Sequence, residues 1–321
     1  MRISVAAFGL AAIVLTGCTA KPQVQATQSE TERQLVLSHA EDATSIAVAT
    51  LYQHMLESVG VKAKLGDASA NPVAEVLAGK ADIVIAGSTN LLDELRKTPQ
   101  NAQVSPSASA TDDSSANSTK AGVQETLTAD QTMTELTALN LGEFALLDST
   151  QAHRNGILIT TASTSAAKNL SNLAQLPAQC PELKFGVPKA LIPELVSELE
   201  ATYACVPASL VPVESNDKTP VQDLITNQVQ VLSTTDETAA IIDNGLVILQ
   251  DSEKLFDPQT LLPLITTNEL GQDAIDAINK LSQALKQEDL IALNRAVTGR
   301  DSLPAETVAT DWLLERKLVT K

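Results

Sequence analysis

The chain has 321 residues, 44% of them hydrophobic, and at roughly 100–200 residues per domain this length predicts two domains or one bilobed unit. Its 39 acidic residues outnumber its 22 basic ones, for a formal charge of −17. Phe, Tyr and Trp are scarce: the chain has four Phe, two Tyr and one Trp. This acidity argues against nucleic-acid binding, which needs clustered Lys and Arg, and the scarcity of rings argues against base-stacking surfaces.

The N-terminal residues have the parts of a secretory signal in the right order. Arg2 supplies a positive charge, and Val5–Leu15 is an apolar stretch shorter than the about 20 residues of a transmembrane helix. The stretch ends in Leu15-Thr16-Gly17-Cys18, which resembles the lipobox of bacterial lipoproteins. In this interpretation residues 1–17 are removed and Cys18 carries the lipid that anchors the chain to a bilayer; the alternative is an ordinary secretory signal with a chance cysteine. The polar residues 18–32 predict a flexible tether.

The other two cysteines, Cys180 and Cys205, form an even pair. Outside the cytoplasm such a pair is a candidate disulfide, and the alternative is two buried free thiols. The histidines His39, His54 and His153 lack ligand spacing to a cysteine or to one another, so we predict no metal site and no cofactor.

The first part of the folded chain alternates strands and helices. Strands are predicted at 35–38, 61–65 and 81–86, with helices at 44–59 and 71–78, and this order predicts a parallel α/β sheet. Gly87-Ser88-Thr89-Asn90 follows the third strand at its carboxyl end, where ligands bind in open α/β sheets.

Residues 98–122 interrupt this pattern. They consist mainly of Ser, Ala, Thr, Asn and Asp and predict a flexible insertion. A helix is expected to begin at Thr128, which forms a capping box with Gln131, and a short apolar run follows at 144–147.

A second alternation of strands and helices follows. Strands are predicted at 157–160, 183–187, 210–213, 229–233 and 247–249, and helices at 169–176, 192–202 and 220–227. The C-terminal part predicts one long helix or two between 274 and 293, and a final helix from Pro304.

Motifs of enzymes are missing from the chain. It contains no G-x-S-x-G, P-loop or H-E-x-x-H sequence, so we predict that it is not an enzyme. Three polar positions near strand ends are candidates for ligand binding, each with an alternative. His39 lies at a cleft or in an exposed loop, Arg154 clamps a ligand carboxylate or belongs to a surface turn, and Asp236 binds a ligand or caps the next helix.

Several strings, in this order and spacing, resemble one family. They are Gly79-Lys80-Ala81-Asp82-Ile83, Val229 to Asp236, Leu262-Pro263-Leu264-Ile265, the helical stretches Leu281–Leu285 and Leu290–Asn294, and Pro304 to Ala309 with Trp312-Leu313. Together they are similar to the osmoprotectant-binding subset of ABC-transporter substrate-binding proteins, which bind glycine betaine, choline, carnitine and related quaternary amines.

The resemblance implies a bilobed, periplasmic-binding-protein-like (type II) α/β fold, with two lobes joined by two crossing strands that close over a ligand like a hinge. Lobe one would comprise residues 33–154 and 238–321, and lobe two residues 155–237. The expected cleft residues are Ser38, His39, Gly87, Ser88, Thr89, Arg154, Asn155, Thr235 and Asp236.

The aromatic cage of that family does not carry over to this chain. The family holds quaternary ammonium between rings, but Gly87, Gly156 and Gln259 stand at the ring positions here. We therefore expect a lipid-anchored, extracytoplasmic solute-binding protein that serves an ABC permease and takes an altered ligand, a small hydrophilic or anionic solute. The alternative is a transport-derived envelope lipoprotein that binds a protein or an envelope component.

Overall fold

Two mixed β-sheets, each with helices on both faces, organise the chain. The computed structural model describes residues 33–102, 127–214, 219–268 and 270–320. The strands are β1 Leu35–His39, β2 Ala63–Ala68, β3 Ile83–Gly87, β4 Phe144–Leu146, β5 Gly156–Thr160, β6 Lys184–Pro188, β7 Ser209–Val213, β8 Val231–Thr235, β9 Val247–Ile248 and β10 Leu261–Thr266. The helices are α1 Ala43–Ser58, α2 Pro72–Leu77, α3 Ser88–Arg96, α4 Ala129–Ala138, α5 Ala162–Lys168, α6 Ile192–Tyr203, α7 Thr219–Ile225, α8 Ala240–Asp243, α9 Gln272–Ala284, α10 Gln287–Thr298 and α11 Ala305–Glu315.

The two sheets share one topology. The first has the order β2-β1-β3-β10-β4 and the second the order β7-β6-β8-β5-β9. In each, the first three strands are parallel, whereas β10 in the first sheet and β5 in the second run antiparallel to both neighbours. The predicted α/β class and bilobed fold are therefore confirmed. The sheet predicted as parallel is mixed, because β10 enters it from the direction of the second sheet.

Helix α1 shows how local sequence positions the framework. Its N-terminus is capped by Asp42, whose Oδ1 accepts a hydrogen bond of 2.9 Å from the Ser45 backbone N–H. Its apolar face, with Leu51 and Tyr52 fully buried, packs with α9, α10 and α11 on one face of the first sheet. The chain turns after α1 at Gly60, whose φ of +82° favours glycine.

The secondary-structure predictions fail at three places. The helix predicted at 169–176 is wrong: α5 lies before it and ends at Asn169 in the left-handed conformation, and a short 3₁₀ turn follows at Leu173–Gln175. Helix α5 buries no residue, so it carries no apolar periodicity to detect. Helix α3, which begins at Ser88, and helix α8 were not predicted.

The described residues include only the start of the predicted insertion. Thr98 to Ala102 form turns after α3, and the buried Asn101 donates from Nδ2 to the carbonyl oxygens of Leu95 at 3.1 Å and Asn140 at 3.0 Å. The insertion predicted at 98–122 stays a prediction, since the structure describes only its first five residues. The rest of it, the predicted signal 1–17, Cys18 and the tether through residue 32 lie outside the described residues.

The second sheet carries a disulfide. Cys180 and Cys205 are bonded, with Cα atoms 5.5 Å apart and both side chains buried, and the bond joins the turn before β6 to the end of α6. The helices that the structure describes are each too short or too polar to cross a bilayer.

The strand pairing places the lobe boundary differently from the sequence prediction of 237/238. Strand β9 pairs with β5 in the second sheet, and Leu249 and Leu255 belong to the core beneath that sheet. The chain thus stays with the second sheet until about the segment 256–260, which leads into β10. The reason is the apolar character of the run from Val247 to Leu249, which completes the sheet edge beside β5.

Candidate ligand-binding site

A cleft of about 930 Å³ is lined by elements from both sheets. Its walls include the N-terminus of α1, parts of α3 and α10 on one side, and parts of α6, α7 and β8 on the other. Of the nine expected ligand-binding residues, the structure places Thr89, Arg154 and Thr235 in the lining. The other six lie elsewhere, and ligand contact by any of the nine stays a prediction.

Ser38 and His39 lie inside the first lobe. Both are buried at the end of β1, between β2 and β3. The ring nitrogens of His39 lie 2.8 Å from the Ala40 carbonyl oxygen and 3.1 Å from the Gly66 carbonyl oxygen. These backbone contacts hold the imidazole within β1 and β2, so it is neither an exposed loop residue nor part of the cleft lining.

The segment after β3 is fastened to the segment before β10. Ser88 Oγ and Thr89 Oγ1 donate to the Pro258 carbonyl oxygen at 3.3 and 3.0 Å, and the Ser88 backbone N–H donates to the Thr260 carbonyl oxygen at 2.9 Å. The hydroxyl groups that were expected to meet a ligand therefore position the chain that crosses between the sheets.

Asp236 binds the crossing segment around Asn155. Its carboxylate accepts from the Asn155 backbone N–H at 3.1 Å, from Asn155 Nδ2 at 2.9 Å and from His153 Nδ1 at 2.7 Å. Asn155 Oδ1 in turn accepts from the Gln259 backbone N–H at 2.8 Å. The bond to Asp236 raises the pKa of His153, although partial burial opposes it. Asp236 thus neither lines the cleft nor caps a helix; it binds the loop after β8 to Asn155, which in turn joins the two segments that pass between the sheets.

Arg154 lines the cleft, yet its guanidinium already binds protein groups. Nε donates to Glu237 Oε1 at 2.7 Å, Nη2 to Asp42 Oδ1 at 3.1 Å, and Nη1 to Ser45 Oγ at 2.6 Å. The Glu237 carboxylate is buried, at 1% side-chain exposure, and the Asp42 carboxylate is partly buried, at 16%. This cluster of Asp42, Arg154 and Glu237, hereafter the hinge triad, connects α1 to one crossing segment and to the loop after β8, and it leaves the guanidinium occupied.

The pKa values of two members of the hinge triad favour their charged forms. Burial alone would raise the pKa of Asp42, but the charge of Arg154 and the hydrogen bonds from Ser45 outweigh burial and hold that pKa below its usual 3.8. For Arg154, burial would lower the pKa, and the charges of Glu237 and Asp42 raise it instead. Asp42 and Arg154 thus stabilise the ionised state of each other.

The two glycines at expected ring positions face side chains that occupy the space above them. A Cβ on Gly87 would lie 2.1 Å from Gln259 Oε1, and a Cβ on Gly156 would lie 2.4 Å from Cδ1 of Phe256. The segment 256–259 therefore fills the space that a larger side chain at either glycine would need. Both contacts join residues about a hundred or more positions apart, so sequence reasoning found the glycines but not their partners.

Phe256 is the one aromatic side chain that the described residues contribute to the cleft lining. The rings of Tyr52, Phe144, Phe185, Tyr203 and Trp312 are instead buried in the cores of the lobes. Phe256 was not among the cleft residues expected from the sequence. The sequence signal that could have indicated Phe256 is the apolar pair Leu255-Phe256, which lies shortly before Pro258.

Carboxylates dominate the polar part of the cleft lining. The described lining residues include eight acids and three arginines, which are Asp42, Asp93, Glu194, Glu198, Glu214, Glu237, Asp243, Asp257, Arg154, Arg295 and Arg300. Arg295 pairs with Asp243 at 2.8 Å, and Arg154 belongs to the hinge triad. Such a lining disfavours the anionic solute expected from the sequence, because like charges repel in a partly enclosed site.

Comparison with protein families identifies one match that spans most of the chain. A model of the substrate-binding domain of ABC-type glycine betaine transport systems matches residues 33–315. A comparison with curated proteins finds no match.

Solved structures share the fold at low sequence identity. A glycine betaine/carnitine/choline ABC transporter structure superposes with a TM-score of 0.66 at 15% identity, covering 90% of this chain and 99% of that one. An ABC-transporter choline-binding protein in complex with choline has a TM-score of 0.61 at 13% identity, covering 88% and 89%. A lactococcal OpuAC in its closed form with glycine betaine has a TM-score of 0.56 at 12% identity, covering 89% and 96%.

Proposed function

Because this chain belongs to the family of substrate-binding domains of ABC-type glycine betaine transport systems, we propose that its cleft captures a small solute for delivery to a membrane permease. The observation that carries the proposal is the cleft of about 930 Å³, which draws its lining from both sheets. This volume is within the roughly 300–1,000 Å³ of typical small-molecule sites. The cleft favours a solute over the alternative of a protein or envelope partner. Solute-binding proteins of this family are not a class of enzymes.

In this proposal, the segments that cross between the two sheets act as the hinge of the protein. Two stretches, around residues 152–155 and 256–260, pass between the sheets; Asn155 joins them to each other and, through Asp236, to the loop after β8. A ligand that contacts both walls would draw the lobes together about these stretches. In this arrangement Thr89 and Thr235 are the expected residues best placed to touch the ligand.

The proposal includes an extracytoplasmic location and a lipid anchor at Cys18. Its support is the order of signal parts in residues 1–18 and the Cys180–Cys205 disulfide, a bond typical of oxidising compartments. Mass spectrometry of the protein from a bacterial envelope fraction tests the anchor. We expect a lipid adduct on an N-terminal Cys18 and its loss, with release from the membrane, in Cys18→Ala.

The ligand of this proposal differs from that of the family's aromatic-cage members. Two of the similar structures are described with choline and with glycine betaine. Both compounds carry quaternary ammonium, whose recognition relies on several ring faces. This cleft offers Phe256 alone among the described residues, which supports an altered mode of binding.

A screen of small solutes against the thermal unfolding of the whole protein tests the function. A solute present at a hundred times its Kd stabilises the folded state by about 2.7 kcal/mol, which raises the unfolding temperature by several degrees. We expect at least one class of small solute to do so and to reduce the radius of gyration as the lobes close. A broad screen in which no solute raises the unfolding temperature would refute solute binding.

A further inference from the structure

Four carboxylates from three elements meet at one part of the cleft lining. Asp93 lies on α3, Glu194 and Glu198 lie on α6, and Asp257 lies in the segment that leads to β10. Burial raises the pKa of Asp257, and the charges of Asp93 and Glu194 raise it further. Burial likewise raises the pKa of Glu198, with the charges of Glu194 and Asp257 adding to the effect. The four groups, hereafter the acidic cluster, are thus close enough to repel one another across the cleft.

The nearby basic side chains are engaged with other acids. Burial raises the pKa of Asp93, and the charges of Arg96 and Lys97 oppose this rise without cancelling it. Arg96 pairs with Glu135, and Lys97 pairs with Glu94 at 2.7 Å. The acidic cluster therefore keeps a surplus of negative charge that a cation entering the cleft would relieve.

Glu237 is a second and separate observation in the same cleft. Its side chain is 1% exposed and lines the cleft, and its Oε1 accepts from Arg154. Its Oε2, by contrast, is buried and has no hydrogen-bond partner among the described residues. A buried carboxylate oxygen without a donor is costly, so the cleft holds an acceptor that an N–H of a bound ligand would satisfy.

The apolar part of the lining defines the rest of the ligand. Leu191, Leu195, Ile225 and Phe256 line the wall that belongs to the second lobe, and Leu191 and Ile225 are 45% and 42% exposed. Methylene groups of a ligand would cover this surface and gain hydrophobic free energy as the cleft closes.

From these features we infer that the cleft selects an aliphatic solute that carries its positive charge on protonated amino groups with N–H donors, and not on quaternary nitrogen. The inference rests on the proposed solute-binding function and names the chemistry of its ligand. Carboxylate oxygens form their strongest bonds with charged N–H donors, which a quaternary nitrogen lacks. A cage for quaternary nitrogen needs rings on several sides, and the described lining provides one.

Two N-methylation series test the inference, because methylation removes N–H donors and keeps the charge. The first runs from ethanolamine through its mono- and dimethyl forms to choline, and the second compares 1,4-diaminobutane with its bis-quaternary, fully methylated analogue. Calorimetric titration of the whole protein at low salt gives each Kd. We expect the unmethylated member to bind about ten-fold or more tightly than the fully methylated one in at least one series.

Substitutions in the acidic cluster locate the effect. Asp93→Asn and Glu198→Gln remove charge from opposite walls, and we expect each to weaken amine binding about five- to ten-fold. Glu200→Gln is the matched control, because Glu200 lies on α6 beside Glu198 in sequence, is exposed and does not line the cleft. We expect its affinity to change less than about two-fold, as for a screened surface charge. An equal loss in Glu200→Gln would overturn the assignment to the cluster.

The remaining outcomes separate this inference from the proposed function. If, in every series that binds, the fully methylated member binds as tightly as its unmethylated partner, the inference is wrong and solute binding stands. If neither series binds while another solute in the broad screen does, the inference is again wrong and the function stands. If no solute of any class binds, the proposed function itself is wrong.

Discussion

Removal of the Arg154 guanidinium is the most direct test of how the hinge triad holds its crossing segment. In Arg154→Met the carboxylates of Asp42 and Glu237 lose a cation that donates to both, at 3.1 and 2.7 Å. Because the Glu237 side chain is 1% exposed, loss of the cation that it binds leaves a buried carboxylate without its partner and costs about 3–5 kcal/mol. At about 2–4 °C per kcal/mol for a chain of this size, the unfolding temperature falls by about 6–20 °C.

Chemical denaturation measures the free energy of unfolding of the wild type, of Arg154→Met and of two comparison variants. Arg295→Met removes an arginine that pairs with Asp243 at 2.8 Å. The side chains of Arg295 and Asp243 are both 44% exposed. Such an exposed pair contributes less than about 1 kcal/mol. In the double variant Arg154→Met with Glu237→Met, an apolar pair replaces the buried charges, so we expect much of the lost stability to return.

The dependence on pH supplies an independent check of the triad. Because Arg154 holds the pKa of Asp42 below its usual 3.8, the stability that comes from this shift is fully present above that value. It is lost as the pH falls through the lowered pKa of the folded state, so the difference between wild type and Arg154→Met narrows in acid. A cost for Arg154→Met no larger than that for Arg295→Met, at every pH, would refute the reasoning.

Three further predictions concern the second lobe and the hinge. Gly156→Ala places a methyl group 2.4 Å from the Phe256 ring, so we expect the free energy of unfolding to fall by about 1–3 kcal/mol. This destabilisation should shrink when Phe256→Leu is added, and an unchanged destabilisation would contradict the contact. His153 has a raised pKa, so its contribution to folding stability is fully present below its usual pKa of 6.5 and is lost as the pH rises through the raised pKa. Denaturation at acid and alkaline pH should show this loss of stability in the wild type and not in His153→Gln. Replacing Cys180 and Cys205 by Ser opens a bond across 25 positions and should cost about 3.5 kcal/mol in denaturant, a loss that reductant reproduces in the wild type.

Much of the fold follows from local patterns in the sequence. The run Leu35–His39 and the helix capped by Asp42 were both predictable, because strand and helix periodicity and capping depend on residues a few positions apart. Helix α5 escaped prediction because none of its residues is buried, so no apolar repeat marks it. The boundary at 237/238 failed because the two-residue strand β9 has too little sequence to show which sheet it joins.

The candidate site was predicted less well than the fold. Position beside a predicted strand marked Thr89, Arg154 and Thr235, and these three residues lie in the cleft lining. It could not show that β2 and β3 bury Ser38 and His39, or that Asp236 binds the neighbouring crossing segment. A hydrogen-bonding side chain at a strand end is satisfied by whatever group tertiary packing brings near it, and that group is often distant in sequence.

The sequence by itself determined the family, the alternation of strands and helices, and the scarcity of rings that separates this chain from aromatic-cage proteins. Only the tertiary structure decided what replaces the rings. It set Gln259 over Gly87 and Phe256 over Gly156, and it brought the acidic cluster together from α3, α6 and the segment before β10. Periodicity arises from neighbours along the chain, whereas the charge and shape of a cleft arise from residues that meet only when the lobes are packed.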